Sequence, residues 1–138
     1  MNIIELIEQK YGDTCRLRSP LTKNQCEKAK KFLPGELFDI LKVSNGIDEI
    51  IINPDNGKTE VIDSIIYSLA EIKKQTNSYL GEIGTDGFVF AGDGAGKFFV
   101  LKSDGKIFLY EYYDFSETFY TSSLWEYFDK LDCIPEGG

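Results

Sequence analysis

The chain has no histidine among its 138 residues. That zero removes serine–histidine and cysteine–histidine nucleophiles, imidazole acid–base catalysis and every histidine-containing zinc site. Cysteine is scarce too: Cys15, Cys26 and Cys133 are an odd number with neither disulfide-framework spacing nor a CxxC pair, so free thiols are expected. No stretch approaches the roughly 20 consecutive apolar residues of a membrane helix. The start, Met1-Asn2-Ile3-Ile4-Glu5, lacks the basic and apolar regions of a secretory signal, which leads us to expect a cytoplasmic protein. Positive charge is the last shortage. Fifteen Lys and Arg stand against 23 Asp and Glu, a net charge of −8 that repels phosphate backbones and anionic lipid. Direct binding to nucleic acid or membrane is therefore not expected, whereas the same field speeds association with a basic partner.

What is present is enough for a core. Hydrophobic residues make up 42% of the chain and aromatics 14%, with ten Phe and eight Tyr, which is too apolar for disorder. A chain of this length suits one domain spanning 1–138, monomeric when unbound.

Ile3, Ile4, Ile7 and Tyr11 form a helical stripe ended by Gly12-Asp13. Thr22 and Gln25 have capping-box spacing for a second helix running toward Pro34, which can open a third through Leu37, Ile40 and Leu41 to Ser44-Asn45-Gly46. Residues 47–53 and 58–67 read as a hairpin about Pro54-Asp55-Asn56-Gly57. A capping box at Ser68 to Glu71 opens a helix toward about Tyr79, after which Gly81, Gly84 and Gly87 read as a loop. Strands are expected over 88–91, 98–102 and 106–113, the last two joined at Ser103-Asp104-Gly105. A closing helix follows from Ser123 through Leu124, Tyr127, Phe128 and Leu131, with Pro135 ending the fold. Helices at both ends with hairpin-linked strands between them indicate an α+β fold, a mainly antiparallel central sheet flanked by helices.

Ala91-Gly92-Asp93-Gly94-Ala95-Gly96-Lys97 imitates a phosphate-binding loop. Phe98 then stands where such a loop needs Ser or Thr for magnesium, and a strand follows instead of a helix. The glycines instead suit a tight strand connection in which Asp93 bonds nearby amides. Asp86 and Asp93 lack calcium-loop spacing, and carboxylate pairs such as Asp48 with Glu49 are what 23 acidic residues produce by chance. No cofactor, metal or catalytic residue is expected. In the aromatic run from Phe108 to Glu117, strand alternation sends Phe108, Tyr110 and Tyr112 one way and Leu109, Glu111 and Tyr113 the other. Part of it can form a tyrosine-and-acid binding surface, for which Tyr112, Tyr113, Asp114 and Glu117 are the candidates.

Taken in order, several blocks resemble the SUKH superfamily, which includes a yeast cell-wall-regulating protein and many bacterial immunity proteins. They are Leu33-Pro34 with Leu37, Leu41 and Ser44-Asn45-Gly46; Ser68-Leu69-Ala70-Glu71-Ile72; the Gly92, Asp93, Gly94 and Gly96 connection; Asp104-Gly105-Lys106-Ile107 with Tyr110; and Ser123 to Phe128. Lys97 stands where a small polar residue is common in the family, and Glu111 to Thr118 fits loosely. The resemblance implies a helix-flanked sheet without catalytic residues and, for a bacterial member, neutralisation of a cognate toxin by direct binding. The acidity suggests a basic toxin, such as a nuclease. Two alternatives are a regulatory scaffold with several partners and a small hydrolase using carboxylates or Cys26, which would need a deep cleft with an ionisable floor.

Overall fold

Asn2 starts the fold. Its side chain accepts from the Glu5 amide at 2.8 Å while the Glu5 carboxylate takes the Asn2 amide at 2.9 Å, a reciprocal cap that opens α1 (Ile3–Tyr11). The architecture comes from a computed structural model that describes residues 2–83, 86–93 and 95–130; Gly94, Cys133 and Pro135 lie outside them. Thr22 and Gln25 repeat the cap at α2 (Lys23–Phe32), and Pro34 precedes α3 (Gly35–Leu41). The longest helix, α4 (Leu69–Ile83), and the closing α5 (Leu124–Lys130) complete the α-helices of the described residues.

The strands form two antiparallel ladders: β1 (Cys15–Leu17), β2 (Ile47–Ile52) and β3 (Thr59–Ile66) in that order, then β4 (Phe88–Gly92), β5 (Lys97–Leu101), β6 (Ile107–Glu111) and β7 (Ser116–Thr121). The fold is therefore α+β, with its antiparallel sheet split in two. A backbone bond from the Tyr67 amide to the Phe90 carbonyl, 2.8 Å, crosses the seam between the ladders. One face of the four-stranded ladder lies under α4, where Tyr79 meets Tyr110 edge-on at 5.1 Å and the Thr76 hydroxyl accepts from the Val89 amide at 3.0 Å. The other lies under α5, with Phe90 against Tyr127 at 5.2 Å and Phe99 against Tyr127 at 4.9 Å. These packings belong to one core that also takes in Ile7, Leu37, Leu41, Ile47, Ile66, Ile72 and Phe128.

Two expectations need correcting, and one strand was not expected at all. The helix from Ser68 does not stop near Tyr79 but runs through Gly81 to Ile83, because burial of Ile72, Thr76 and Tyr79 on one face outweighs the propensity cost of one glycine. The strand expected to reach residue 113 ends at Glu111; Tyr112 to Phe115 form the turn into β7, which periodicity did not reveal. At three residues, β1 is too short to show any period.

Ser44-Asn45-Gly46 ties three elements together. The Asn45 side-chain oxygen accepts from the Leu69 amide at 2.8 Å, capping α4 from a distance, and its own amide donates to the Ser19 carbonyl at 3.0 Å. Buried Ser44 accepts from the Arg18 amide at 2.8 Å and donates to the Gly46 carbonyl at 2.6 Å. Gly46 sits at φ +98°, and a Cβ there would lie 3.1 Å from the Ser68 nitrogen and 3.3 Å from the Ile66 carbonyl, neither of which can yield. Gly46→Ala should therefore cost about 2 kcal/mol, read as a fall of roughly 6–10 °C in thermal midpoint. An unchanged midpoint would refute this account of the junction.

Candidate functional site

The β4–β5 and β6–β7 connections form one end of the four-stranded ladder. Asp93 shapes the first: its Oδ1 accepts from the Ala95 amide at 2.7 Å and the Lys97 amide at 3.1 Å, while its own amide donates to the Lys97 carbonyl. Gly92 has no room for a side chain, since a Cβ would run into the Tyr67 hydroxyl and lie 3.0 Å from the Lys97 carbonyl. Gly96, at φ +98°, accepts through its carbonyl from the Tyr112 amide at 2.8 Å, which joins the two connections. At the other end of the ladder, Asp104 and Gly105 make the β5–β6 turn: the Asp104 carboxylate accepts from the Lys106 amide at 3.0 Å and Gly105 takes φ +91°. Those two residues are therefore structural and stand apart from the first end.

Tyr112, Tyr113, Asp114 and Phe115 make up the β6–β7 turn. The three rings are 52%, 69% and 55% exposed. Among the described residues, Phe115 is the non-glycine residue with positive φ, +56°, a conformation that a bulky side chain takes only at a cost of order 1–3 kcal/mol. Its ring meets Tyr112 edge-on at 6.0 Å, and the Asp114 carboxylate accepts from the Ser116 amide at 3.1 Å. The Tyr113 hydroxyl donates to Glu111, and that bond together with the carboxylate's charge pushes the phenol pKa upward. Large rings thus stand in water on a turn that local bonds hold against strain.

Tyr112, Tyr113 and Asp114 are brought together as the sequence grouped them, but Glu117 is not available with them. From β7 it pairs with Tyr110 of β6, on the face that α4 covers, and its carboxylate takes Lys102 Nζ at 3.2 Å and the Tyr79 hydroxyl. Only 22% of that side chain is exposed. Burial works against the charge of Lys102, yet its hydrogen bonds to Tyr79 and Glu117 raise its pKa overall. Glu117 is an internal counter-ion. Phe115, by contrast, belongs to the surface; the run Tyr-Tyr-Asp-Phe, read as a turn instead of a strand end, carries that signal.

Beside this end, a groove of about 490 Å³ opens between α4 and the sheet. Among the described residues that line it, Val89, Tyr79 and Tyr110 are buried, Phe98 and Tyr112 are more open, and Glu82 is the one charged residue. Phe98 stacks on Tyr110 with centroids 6.3 Å apart, and the Tyr110 hydroxyl donates to Glu82 at 3.3 Å. Burial, reinforced by the neighbouring Glu82 charge, pushes the Tyr110 phenol up to about 12.

A smaller cavity of about 160 Å³ is lined by Glu49, Asp63 and Asp93 with Tyr11, Phe99 and Tyr127. Glu49 and Asp63 are direct cross-strand neighbours, and like charges so placed repel. Burial and then Asp63 raise the pKa of Glu49; burial, with a smaller push from Asp93, raises that of Asp63 against a backbone hydrogen bond that lowers it. The cavity falls below the roughly 300 Å³ at which ligand clefts begin. With folded pKa values above the unfolded ones, these carboxylates oppose folding at neutral pH. That penalty disappears as pH falls through their folded values toward the ordinary values of 4.5 for Glu49 and 3.8 for Asp63. Asp63→Asn keeps the acceptor for the Ser64 amide and should raise the thermal midpoint at pH 7, with the gain shrinking to nothing below about pH 4. A gain that grew on acidification would contradict this.

Among the described residues, no group of three or more Cys, Asp or Glu is placed to hold a metal ion, and no helix is long and apolar enough to cross a membrane. The Cys26 thiol is half-buried and donates to the Leu21 carbonyl at 3.8 Å. No protein-family model and no curated protein matches the chain.

Proposed function

We propose that the chain is a non-catalytic binding domain of the SUKH kind, an immunity protein that neutralises a cognate basic toxin through the end built by Tyr112, Tyr113, Asp114 and Phe115. The observation that carries this is the exposure of three large rings on a strained turn. Apolar rings in water oppose solubility and strain opposes folding, so such a feature suits a surface that a partner covers. Rigid aromatics supply binding energy, and Glu111 and Asp114 beside them select positive charge. The domain would act in the cytoplasm, where a toxin must be met before it reaches its substrate.

The test is to mix the purified domain with the toxin domain encoded beside it, and to follow complex formation by calorimetry and toxin activity in parallel. A complex that abolishes activity and weakens as salt rises is expected. Failure to detect either a complex or protection removes the proposal. The scaffold alternative draws support from the β2–β3 hairpin, where Ile51, Ile52, Val61 and Ile62 are each between two-fifths and two-thirds exposed; consecutive in their strands, they are divided between its two faces, which offer a second partner a second surface.

A further inference from the structure

Four lysines lie over aromatic rings: Lys42 over Phe38, Lys73 over Phe32, Lys130 over Tyr120, and Lys102 over both Tyr79 and Phe108. The last shows the full recognition set, because Lys102 Nζ lies 5.2 and 5.5 Å from the two ring centroids and also reaches the Glu117 carboxylate at 3.2 Å. Rings supply the negative face of their quadrupole, the carboxylate supplies the charge, and the ammonium joins them.

The groove beside α4 repeats that set without its cation. Phe98, Tyr110 and Tyr112 supply rings, with Phe98 and Tyr110 direct cross-strand neighbours and Tyr112 next but one along the chain. Glu82 supplies the carboxylate, and among the described residues no Lys or Arg lines the groove. Its volume of about 490 Å³ lies within the roughly 300–1,000 Å³ of ligand clefts, enough for a long side chain and part of its backbone. Tyr112 belongs to both the groove and the exposed turn, so a partner seated on the turn lies at the groove mouth.

We infer that this groove is the receptor for one arginine or lysine side chain of the basic partner, whose cationic head stacks on Tyr112 and Phe98 and pairs with Glu82. The inference rests on the proposal that the Tyr112 end faces the partner, and it commits that partner to an anchoring cation at a stated place. An aliphatic anchor fits less well, since it would bury the Glu82 carboxylate without a counter-charge.

The test needs no toxin. The isotopically labelled full chain is titrated with N-acetyl-arginine amide and N-acetyl-lysine amide, and with N-acetyl-citrulline amide as the neutral isostere of the first. Saturable amide shifts confined to residues 75–82, 89, 98 and 110–112 are expected with the cationic probes, with citrulline binding about tenfold more weakly. Glu82→Gln and Tyr112→Ala change exposed residues, should leave the thermal midpoint near that of the parent, and should each weaken the arginine probe about three- to tenfold. Equal affinity for arginine and citrulline, shifts centred elsewhere, or no saturation would overturn the inference. A toxin complex that forms while the probes fail leaves the binding domain standing and removes the cation anchor alone; probes that bind where no toxin complex forms do the reverse.

Discussion

Alanine at both Tyr113 and Phe115 should weaken the complex with the adjacent-encoded toxin domain by at least about a hundredfold and change folding stability by no more than about 1 kcal/mol. Buried aromatic anchors in interfaces are each worth about 2 kcal/mol or more, two of them are not strictly additive, and 1.4 kcal/mol is tenfold in affinity. Folding is spared because neither ring is in the core. Tyr113 loses its hydrogen bond to Glu111, and Phe115 its edge contact with Tyr112, an exposed pair at the low end of about 0.5–1.5 kcal/mol. Glycine at 115 separates strain from contact. It adopts φ +56° freely, so Phe115→Gly should be about 1 kcal/mol more stable than Phe115→Ala while binding no better. Calorimetry of binding and chemical denaturation read the two effects independently. A double variant that binds like the parent would mean that the partner sits elsewhere.

Phe90→Ala should be the most damaging single change to the fold, at about 4 kcal/mol, measured as a lower denaturation midpoint with an unchanged slope. Phe90 is fully buried on β4 at the seam of the two ladders, against Tyr127 at 5.2 Å and Phe128 at 6.3 Å. Truncation leaves a cavity that α5 cannot fill without leaving Phe99. The loss is a large part of the roughly 5–15 kcal/mol by which a domain is stable. Phe119→Ala is the control: that ring is half-exposed and meets Phe108 edge-on at 5.9 Å, so its removal should cost less than about 1.5 kcal/mol. Similar costs at the two positions would put β4 outside the core.

The candidate surface was half legible. Tyr112, Tyr113 and Asp114 stand out because aromatic and acidic residues adjoin in one run, and the turn does set them side by side. Glu117 was grouped with them by proximity in sequence. Cross-strand pairing to Tyr110 instead brings it to Lys102 and Tyr79, partners 15 and 38 residues away that no local pattern announces. Phe115 was hidden for a related reason: alternation presumes that a strand continues, and here the chain leaves the extended conformation after Glu111. The groove was wholly illegible, since its walls come from α4, β4, β5 and β6.

The sequence by itself determined what depends on neighbours within a few residues. The caps at Thr22 and Ser68, the exit at Ser44-Asn45-Gly46, and the turns at Asp93 and Asp104 follow from side chains that bond backbone within four positions or from the freedom of one glycine, and the α+β order of elements follows from local periodicity. Net charge and the absence of histidine belong there too, because composition does not wait for folding. Only the tertiary structure decided that the sheet divides at the Tyr67 to Phe90 bond, that α4 outlasts its glycine, and which acids are matched and which stand open. Burial and cross-strand pairing are properties of residues far apart in the chain. Two carboxylates of like chemistry, Glu117 and Glu82, therefore end one on a lysine and the other on the rim of an acidic, aromatic groove.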